Sequence, residues 1–338
     1  MSDIIVVEDL VEVYASGTRA IDGISFRVPE GEFFGFLGPN GAGKSTTIKV
    51  LSTLLRKTSG SVTVGGHDLE QDPDGIRRII GVQSQETVVD GDLSGRKNLL
   101  FQGHLQRMQG PALQSRVEEL LDLMELKEAA DRKARQYSGG MKRRLALAAA
   151  LVHRPRLVFL DEPTTGLDPQ SRAKVWGYLS KLNKEEGTTV FLTTQYLEEA
   201  DKLCRQLSII DRGKIVASGS PADLKEQIGG EAIILTPDPD AGAGARETLE
   251  GRLRALPGVG KVVEADSGLV VYARQASRLV PEIVTLFRGV GVRLDSISLA
   301  APTLDDVFLQ KTGSRIRGED LTSGAAPAPV GGVRGGVY

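Results

Sequence analysis

The chain has 338 residues, enough for two domains of unequal size, and its 40% hydrophobic and 25% charged content is that of a globular protein with a sizeable core. The formal net charge of −2 gives no electrostatic reason to expect nucleic acid or an anionic membrane as the main partner. The single cysteine, Cys204, excludes an internal disulfide and favours a reducing cytosol as the compartment.

Short β-rich runs alternate with helical patterns from Ile4 to about Gly219. The predicted strands are Ile4–Val7, Ile24–Val28, Phe33–Leu37, Ser61–Val64, Ile79–Val82, Leu157–Leu160, Thr189–Thr193, Leu207–Ile210 and Lys214–Ala217. The predicted helices are Lys44–Leu54, Arg96–Gln109, Gln114–Met124, Gly139–Val152, Ser171–Asn183 and Leu197–Leu203. Later strands such as Leu157–Leu160 are apolar throughout, which predicts a parallel sheet covered by helices, whereas the early strands alternate as in an antiparallel subdomain. The sequence therefore predicts an α/β fold.

The pattern changes near Gly229 and Gly230. The elements predicted beyond that point are the strand Glu231–Thr236, the helix Arg246–Leu256, the strands Val262–Ala265 and Leu269–Ala273, the helix Ser277–Arg288, the strand Val292–Leu299 and the helix Thr303–Lys311. This order resembles a split β-α-β, ferredoxin-like α+β unit, and it holds no cluster of catalytic residue types, which predicts a regulatory or interaction domain. The Gly-, Ala- and Pro-rich tail buries too little apolar surface to fold alone and is predicted to be disordered. The predicted boundaries are 1–228, 229–313 and 314–338.

The segment Gly38–Thr46 reads Gly-Pro-Asn-Gly-Ala-Gly-Lys-Ser-Thr and lies between an apolar strand and a predicted helix. That context favours a P-loop over a glycine-rich turn without a ligand, because the curled backbone turns successive N–H groups toward phosphates at a helix N-terminus. Lys44 is expected to meet the β- and γ-phosphates, and the Ser45 hydroxyl is expected to bind Mg²⁺. The predicted ATP-binding residues of this loop are Gly38, Asn40, Gly41, Gly43, Lys44, Ser45 and Thr46.

The apolar run Leu157–Leu160 ends in two carboxylates, Asp161 and Glu162. Alone, such a pair could be a solvated strand end. With a P-loop upstream, the buried strand is expected to deliver both acids to the phosphate site. Asp161 is therefore predicted to hold Mg²⁺ through water, and Glu162 to polarise the attacking water.

The segment Tyr137–Met141 reads Tyr-Ser-Gly-Gly-Met, which resembles the signature of ATP-binding cassette (ABC) ATPases, usually Leu-Ser-Gly-Gly-Gln. It lies between the P-loop and the acidic pair, in the order that the family has. Ser138 and the amides of Gly139 and Gly140 stand at the start of a predicted helix and can form a second phosphate cap. The resemblance implies that this cap closes over ATP held by the P-loop of a second subunit, and hence a homodimer.

Further positions follow from the same resemblance. Tyr14 lies where the family stacks an aromatic ring on adenine, with a core or surface tyrosine as the alternative. The segment Ile80–Gln85 resembles the Q-loop, in which Gln85 is expected to contact magnesium and the attacking water, and Gln83 is the alternative register. The segment Gly166–Asp168 resembles the D-loop, which communicates across the dimer.

The chain departs from the family after its last core strand, where Gln195 stands in place of the switch histidine. The amide of Gln195 can hydrogen-bond a γ-phosphate, but it cannot carry a positive charge or exchange a proton. Because Glu162 is present, the sequence predicts slow rather than absent hydrolysis.

Three segments point to one subgroup of the ABC ATPases. Thr193–Asp201, the altered signature and Pro302–Leu309 resemble the daunorubicin/doxorubicin-resistance ABC ATPases, and this resemblance covers residues 4–313. The alternative for Pro302–Leu309 is an amphipathic terminal helix that packs Leu304, Val307 and Phe308 into its own domain.

Several chemically interesting residues carry no predicted site. The basic run Lys142–Arg144 is interpreted as a solvated helix face, with attraction of nucleotide as the alternative. His67, His104 and His153 are scattered without metal-ligand spacing, and Trp176 is interpreted as a core residue.

The resemblance implies an ATPase subunit that binds ATP and Mg²⁺ and powers efflux of hydrophobic compounds through a separate polytopic permease, which alone contacts the substrate. The amino terminus lacks signal-peptide features, and the longest apolar run, Leu145–Val152, is far short of the ~20 residues that span a bilayer. We therefore expect the membrane part in another chain and this protein as a peripheral subunit on the cytoplasmic side of the cell membrane. The segment Glu86–Arg96 is expected to receive the permease's coupling helix.

Other classes of ATPase fit the sequence less well. A soluble ABC protein acting on ribosomes normally carries two cassettes, and this sequence contains one P-loop motif. A DNA-repair or chromosome-organising ATPase needs a long coiled coil between P-loop and signature, and that interval shows no sustained heptads. A third alternative is a nucleotide sensor that hydrolyses ATP slowly, and the presence of Gln195 is consistent with it.

Overall fold

The computed structural model describes residues 2–85, 89–227, 231–238, 243–265, 268–273, 276–300 and 302–312. The predicted tail lies outside the described residues, as do the first three residues of the predicted coupling-helix segment, Glu86, Thr87 and Val88. Within the described ranges, every helix is too short or too polar to cross a bilayer.

Strands and helices alternate along most of the described chain. The strands are β1 Asp3–Val13, β2 Arg19–Pro29, β3 Phe33–Leu37, β4 Ser59–Val64, β5 His67–Asp68, β6 Ile80–Gln83, β7 Leu157–Asp161, β8 Thr189–Thr194, β9 Gln206–Asp211, β10 Lys214–Gly219, β11 Glu231–Pro237, β12 Val259–Ala265, β13 Gly268–Ala273 and β14 Leu294–Ala300. The helices are α1 Lys44–Leu51, α2 Pro73–Ile79, α3 Gly95–Leu105, α4 Gly110–Leu123, α5 Gly139–Leu151, α6 Pro169–Glu186, α7 Leu197–Leu203, α8 Pro221–Gln227, α9 Ala243–Arg254, α10 Ala276–Val290 and α11 Leu304–Thr312.

Three sheets organise the fold. An antiparallel sheet has the order β2-β1-β4-β5, and a central sheet has the order β10-β9-β3-β8-β7-β6. In the central sheet all neighbours are parallel except β10 and β9. The predicted α/β core with an antiparallel β-subdomain is therefore confirmed. The third sheet is antiparallel in the order β12-β13-β11-β14, the arrangement of a split β-α-β unit.

Strand β3 shows how the central sheet is covered on both faces. All five of its residues are buried. Phe34 and Phe36 pack with Phe191 on the side of the antiparallel sheet, with ring centroids 5.4 and 5.6 Å from that of Phe191. Phe33 and Leu37 belong to the core beneath the helices on the other side. Because parallel strands present their carboxyl ends at one edge, the loops that follow β3, β7 and β8 meet there.

The C-terminal sheet is apolar on both faces. Ile233 and Val271 belong to a core of their own with residues of α9 and α10. Val270 and Tyr272, which point to the opposite face, belong to the main core of the cassette. The third sheet is thus packed against the first part of the chain rather than tethered to it.

Helix α11 lies at this junction. Leu304, Val307 and Phe308 are buried in the main core together with Leu224 of α8. Asp306 accepts a hydrogen bond from the Tyr272 hydroxyl at 2.7 Å. The helix therefore packs both into its own domain, as the alternative interpretation has it, and against the cassette, which that interpretation did not include.

The structure also corrects several predicted boundaries. Helix α3 ends four residues before the predicted Gln109, because Arg107 adopts a left-handed φ of 61° that a helix cannot accommodate. The sequence does not predict helix α2, because its seven residues are too few to show an apolar helical period. The Asp72 carboxylate accepts from the Gly75 N–H, and Pro73 occupies the first turn.

Candidate functional site

The loop between β3 and α1 has a backbone that only glycine allows at its closest points. Gly43 is the N-cap of α1 with a φ of 108°, and a Cβ there would lie 2.5 Å from the Ala20 carbonyl oxygen. Gly41 has a φ of 80° next to Asn40 at the exposed tip of the loop. The first N–H groups of α1 have no acceptor within the helix, so loop and helix start together offer donors to an anion.

Lys44 is buried at the centre of the site. Its Nζ donates to the carbonyl oxygens of Gly38 at 2.8 Å and Pro39 at 3.1 Å. It also forms an ion pair with Glu162 Oε1 at 3.2 Å, and the Lys44 and Glu162 side chains are only 4% and 6% exposed. Both charges of this buried pair are therefore compensated, as burial of an ion requires.

Asp161 connects the P-loop to the neighbouring strand. Its Oδ1 accepts hydrogen bonds from Ser45 Oγ at 3.0 Å and from Thr193 Oγ1 at 2.6 Å. Asp161 and Thr193 face each other as register partners on β7 and β8. Thr193 was not predicted as a site residue, although a polar residue near the end of a buried strand was the available signal.

Glu162 leaves β7 in a conformation that residues other than glycine rarely adopt. Its φ is 50°, in the left-handed region. Its N–H lies 3.1 Å from the Thr193 carbonyl oxygen and 3.2 Å from Thr193 Oγ1, and Thr165 Oγ1 donates to Glu162 Oε2 at 3.3 Å. These contacts hold the turn in which the carboxylate reaches Lys44.

Two predicted nucleotide contacts lie beside the P-loop. The Tyr14 hydroxyl is 2.9 Å from Thr46 Oγ1, and the residue is 36% exposed, so an aromatic ring is available at the surface next to the loop. Gln195 follows β8 directly and is half-buried. The Gly38 N–H donates to the Thr194 carbonyl oxygen at 3.3 Å, which keeps the end of β8 at the P-loop.

Gln85 and the signature form their hydrogen bonds with residues outside the P-loop. Gln85 follows β6 with an exposed side chain, and its carbonyl oxygen accepts from Arg143 Nη1 at 2.6 Å. Ser138 is the N-cap of α5, and its Oγ accepts from the Met141 N–H at 3.2 Å. Ser138 and Gly139 are exposed and Gly140 is half-buried. No hydrogen bond or ion pair joins this cap to the P-loop within the described part of the same chain.

Arg143 is a residue that sequence reasoning placed wrongly. It is 8% exposed, so the interpretation of Lys142–Arg144 as a solvated face is incorrect for this residue. Positions four and seven residues later, Leu147 and Ala150, are also buried, and this helical period was the signal that could have identified it. Burial lowers the pKa of Arg143, and the carboxylates of Asp161 and Glu162 offset part of that effect.

Glu199 was also missed as a site-supporting residue. It is fully buried, and its Oε1 accepts from Thr164 Oγ1 and from Trp176 Nε1, each at 2.8 Å. It thereby ties α7 to α6 and to the loop that follows Glu162. Burial raises the pKa of Glu199, and the hydrogen bonds from Trp176 and Thr164 oppose part of the rise.

The donor set suits a magnesium ion that binds together with phosphate. Among the described residues there is no group of three or more His, Cys, Asp or Glu that could hold a metal. Mg²⁺ is usually held by one or two protein groups, with phosphates and water completing its shell. Ser45 Oγ and Asp161 Oδ1, 3.0 Å apart beside the P-loop, fit that requirement.

Both parts of the chain match known families. Residues 21–165 match the family described as ABC transporter. Residues 219–312 match the family described as ATP-binding protein DrrA1-3-like, C-terminal domain.

Curated relatives align over nearly the whole chain. The daunorubicin resistance ATP-binding protein DrrA3 of Streptomyces coeruleorubidus is 40% identical, over 93% of this chain and 97% of the relative. The daunorubicin/doxorubicin resistance ATP-binding protein DrrA of Streptomyces peucetius is 44% identical, over 90% and 91%. The linearmycin resistance ATP-binding protein LnrL of Bacillus subtilis is 36% identical, over 92% and 98%.

Solved structures share the fold of the first part. A dimeric ATP-binding cassette in a post-hydrolysis state, bound to ADP and Pi, is 27% identical with a TM-score of 0.60, over 64% of this chain and 98% of its own. The cassette protein CbiO1 of Clostridium perfringens is 29% identical with a TM-score of 0.60, over 68% and 94%.

Proposed function

The chain belongs to the ABC transporter ATP-binding proteins of the daunorubicin/doxorubicin-resistance type, and from that premise we propose that it powers export of a hydrophobic compound through a separate permease. It is an ATPase of the ABC type. The observation that carries the proposal is that the similarity spans the C-terminal sheet as well as the cassette, at 40% and 44% identity to two resistance ATPases. The exported compound is a drug, an antibiotic or a lipid.

The geometry of the site supports the following roles for its residues in ATP binding and hydrolysis. The P-loop amides and Lys44 bind the phosphates of ATP, and Tyr14 stacks on its base. Glu162 orients and deprotonates the attacking water, with Gln85 and Gln195 as hydrogen-bond partners. Ser45 and Asp161 hold Mg²⁺, which neutralises charge on the phosphates.

A homodimer completes the site. In the phosphate cap, Ser138 and Gly139 are exposed and Gly140 is half-buried, so the cap is accessible to the ATP of the other subunit. A dimeric cassette bound to ADP and Pi among the structural neighbours supports this arrangement. The signature helix α5 and the P-loop then act on different ATP molecules.

A groove along the edge strand β6 is proposed to receive the permease. It encloses about 420 Å³ and is lined by β6, by the alanine-rich face of α5 and by residues including Leu54 and Gln102. Leu54, Phe101 and Leu105 expose 69%, 56% and 61% of their surface, although they are large and apolar. Exposed apolar residues beside a groove are typical of a protein–protein contact.

Gln83 adds a polar group to the floor of the same groove. It is 3% exposed, and within the described residues neither its side-chain oxygen nor its nitrogen has a hydrogen-bond partner. A buried unpaired polar group costs about 1–3 kcal/mol. Because both amide atoms of Gln83 are inaccessible, they can gain partners only if docking opens the groove around them. Docking of this kind places the subunit at the cytoplasmic face of the membrane.

The deciding experiment is capture of the tagged protein from gently solubilised native membranes, followed by identification of the proteins that co-purify. Leu54→Asp places a charge in the groove, and Leu299→Asp places the same charge at an exposed apolar site on β14 that is 48% exposed. We expect one polytopic membrane protein in stoichiometric amount with the wild type and with Leu299→Asp, and its loss with Leu54→Asp.

Other outcomes would redirect the assignment. Co-purification of ribosomes or DNA-repair factors would replace the export function by a soluble one. A membrane partner retained equally by both variants would keep the export function and remove the groove from it.

A further inference from the structure

Arg143 connects three segments of the chain that carry the proposed chemistry. Its Nε donates to the Pro163 carbonyl oxygen at 3.0 Å and its Nη1 to that of Gln85 at 2.6 Å. Its Nη2 donates to the carbonyl oxygen of Glu162. One guanidinium thus binds Gln85, which follows β6, and the two residues that follow Asp161.

The same side chain belongs to the signature helix. Arg143 lies in the second turn of α5, whose N-cap is Ser138. A helix is rigid over one turn and rises about 1.5 Å per residue, so a displacement of Ser138 along or around the axis carries Arg143 with it. The phosphate cap and the guanidinium are therefore two points on one rigid element.

Arg143 also completes the fixation of Glu162. The N–H of Glu162 lies within 3.2 Å of the Thr193 carbonyl and hydroxyl oxygens, while its carbonyl oxygen accepts from Arg143. Hydrogen bonds thus hold both the N–H and the carbonyl oxygen of Glu162, whose φ is 50°. Its carboxylate oxygen Oε1 lies 3.2 Å from Lys44 Nζ. A left-handed conformation at a residue other than glycine persists only where the surroundings hold it.

We infer that Arg143 is a positioning residue that couples the signature helix to Glu162 and Gln85 of its own subunit. This inference rests on the proposed function. Docking of Ser138 on the partner's ATP would then adjust the carboxylate and the Q-loop that serve the subunit's own ATP. The two sites of the dimer would communicate through this guanidinium.

The test compares Arg143→Met, which keeps the alkyl stem, with Arg143→Lys, which keeps the charge. The control is Arg144→Met. Arg144 also donates to a carbonyl oxygen, that of Met124 at 2.7 Å, but among the described residues it forms no hydrogen bond or ion pair with the acidic pair or the Q-loop. The kcat of ATP hydrolysis, the Kd for ATP and the melting temperature are measured for all four proteins.

We expect Arg143→Met to lower kcat at least about tenfold while the Kd for ATP changes less than about twofold, since the guanidinium donates to Pro163, Gln85 and Glu162 and not to the P-loop. Arg143→Lys should recover part of the rate, because one ammonium group can reach one or two of the three carbonyls. Arg144→Met should keep kcat within about twofold of the wild type. Loss of kcat and of ATP affinity in equal proportion, or an unchanged kcat, would overturn the positioning role.

The coupling itself is tested with Ser138→Ala. Ser138 and Arg143 form their side-chain hydrogen bonds with different partners, so independent effects on kcat would multiply in the double variant. We expect a loss smaller than the product of the two single losses, and a loss equal to the product would overturn the coupling. A wild-type chain that hydrolyses no ATP would instead contradict the proposed function, which distinguishes the two failures.

Discussion

Gln195 stands at the end of β8, beside the P-loop, where the family usually has a histidine. Replacing it by histidine supplies a side chain that can carry charge and exchange a proton, so we expect kcat for ATP to rise about tenfold, below the ~10²–10⁴ that positioned proton transfer supplies. Steady-state hydrolysis at saturating Mg²⁺ and ATP measures this. Gln195→Asn, which keeps an amide but shortens its reach, serves as the control and should not raise kcat. A histidine variant with the same or a lower kcat than the wild type would contradict the predicted effect of Gln195 on turnover.

Glu199 gives a prediction about stability and pH. Burial raises the pKa of Glu199 above its ordinary value of 4.5, so the folded chain favours the protonated form. Its contribution to stability is therefore complete below about pH 4.5 and is lost as the pH rises through the raised pKa. Glu199→Gln keeps an oxygen for Trp176 and Thr164 but does not titrate.

We expect the melting temperature of Glu199→Gln to match the wild type near pH 5 and to exceed it by at least about 2 °C near pH 8.5, measured by thermal unfolding. Glu198→Gln, at an exposed neighbouring position, should show no such divergence. A wild type that gains stability relative to Glu199→Gln as the pH rises would contradict the protonated state.

At the scale of elements, α11 is expected to contribute strongly to stability. Phe308 is 1% exposed in the core shared with the cassette, so Phe308→Ala should lower the free energy of unfolding by about 3–5 kcal/mol. Leu299→Ala, on an exposed site of β14, should change it by less than about 0.5 kcal/mol. Urea unfolding of the full chain compares the two. Equal effects would mean that α11 does not hold the domains together.

Local motifs could be predicted from the sequence, because each is a continuous run with its own start and stop. The P-loop, the strand ending in Asp161 and the signature N-cap lie in the predicted elements, while their catalytic roles stay predictions. The helical period indicates that Arg143 is buried, but neither its hydrogen-bond partners nor the target of α11 could be predicted. An arginine is buried only where carbonyls from distant segments converge, and an apolar helix face does not name the surface that it covers.

At the scale of the whole molecule, the dimer is the state to test. Glu162→Gln removes the proposed base and leaves both phosphate caps in place, so ATP and magnesium should hold two copies together. We expect a peak of dimer mass on size exclusion with Glu162→Gln, and monomer when Ser138→Arg is added to block the cap. A monomer at saturating ATP without the second substitution would argue against the shared site.

The position of α11 also bears on how such proteins can be recombined. Covalently it is the last described element, yet Leu304 and Phe308 belong to the core of the cassette alongside Leu224. An exchange of the whole C-terminal third between two relatives would separate α11 from the surface of α7 and α8 that it matches. An exchange limited to residues 231–300 would leave that surface with its own helix. A chimera of two relatives therefore needs two junctions, one before and one after the third sheet, rather than one junction in a single linker.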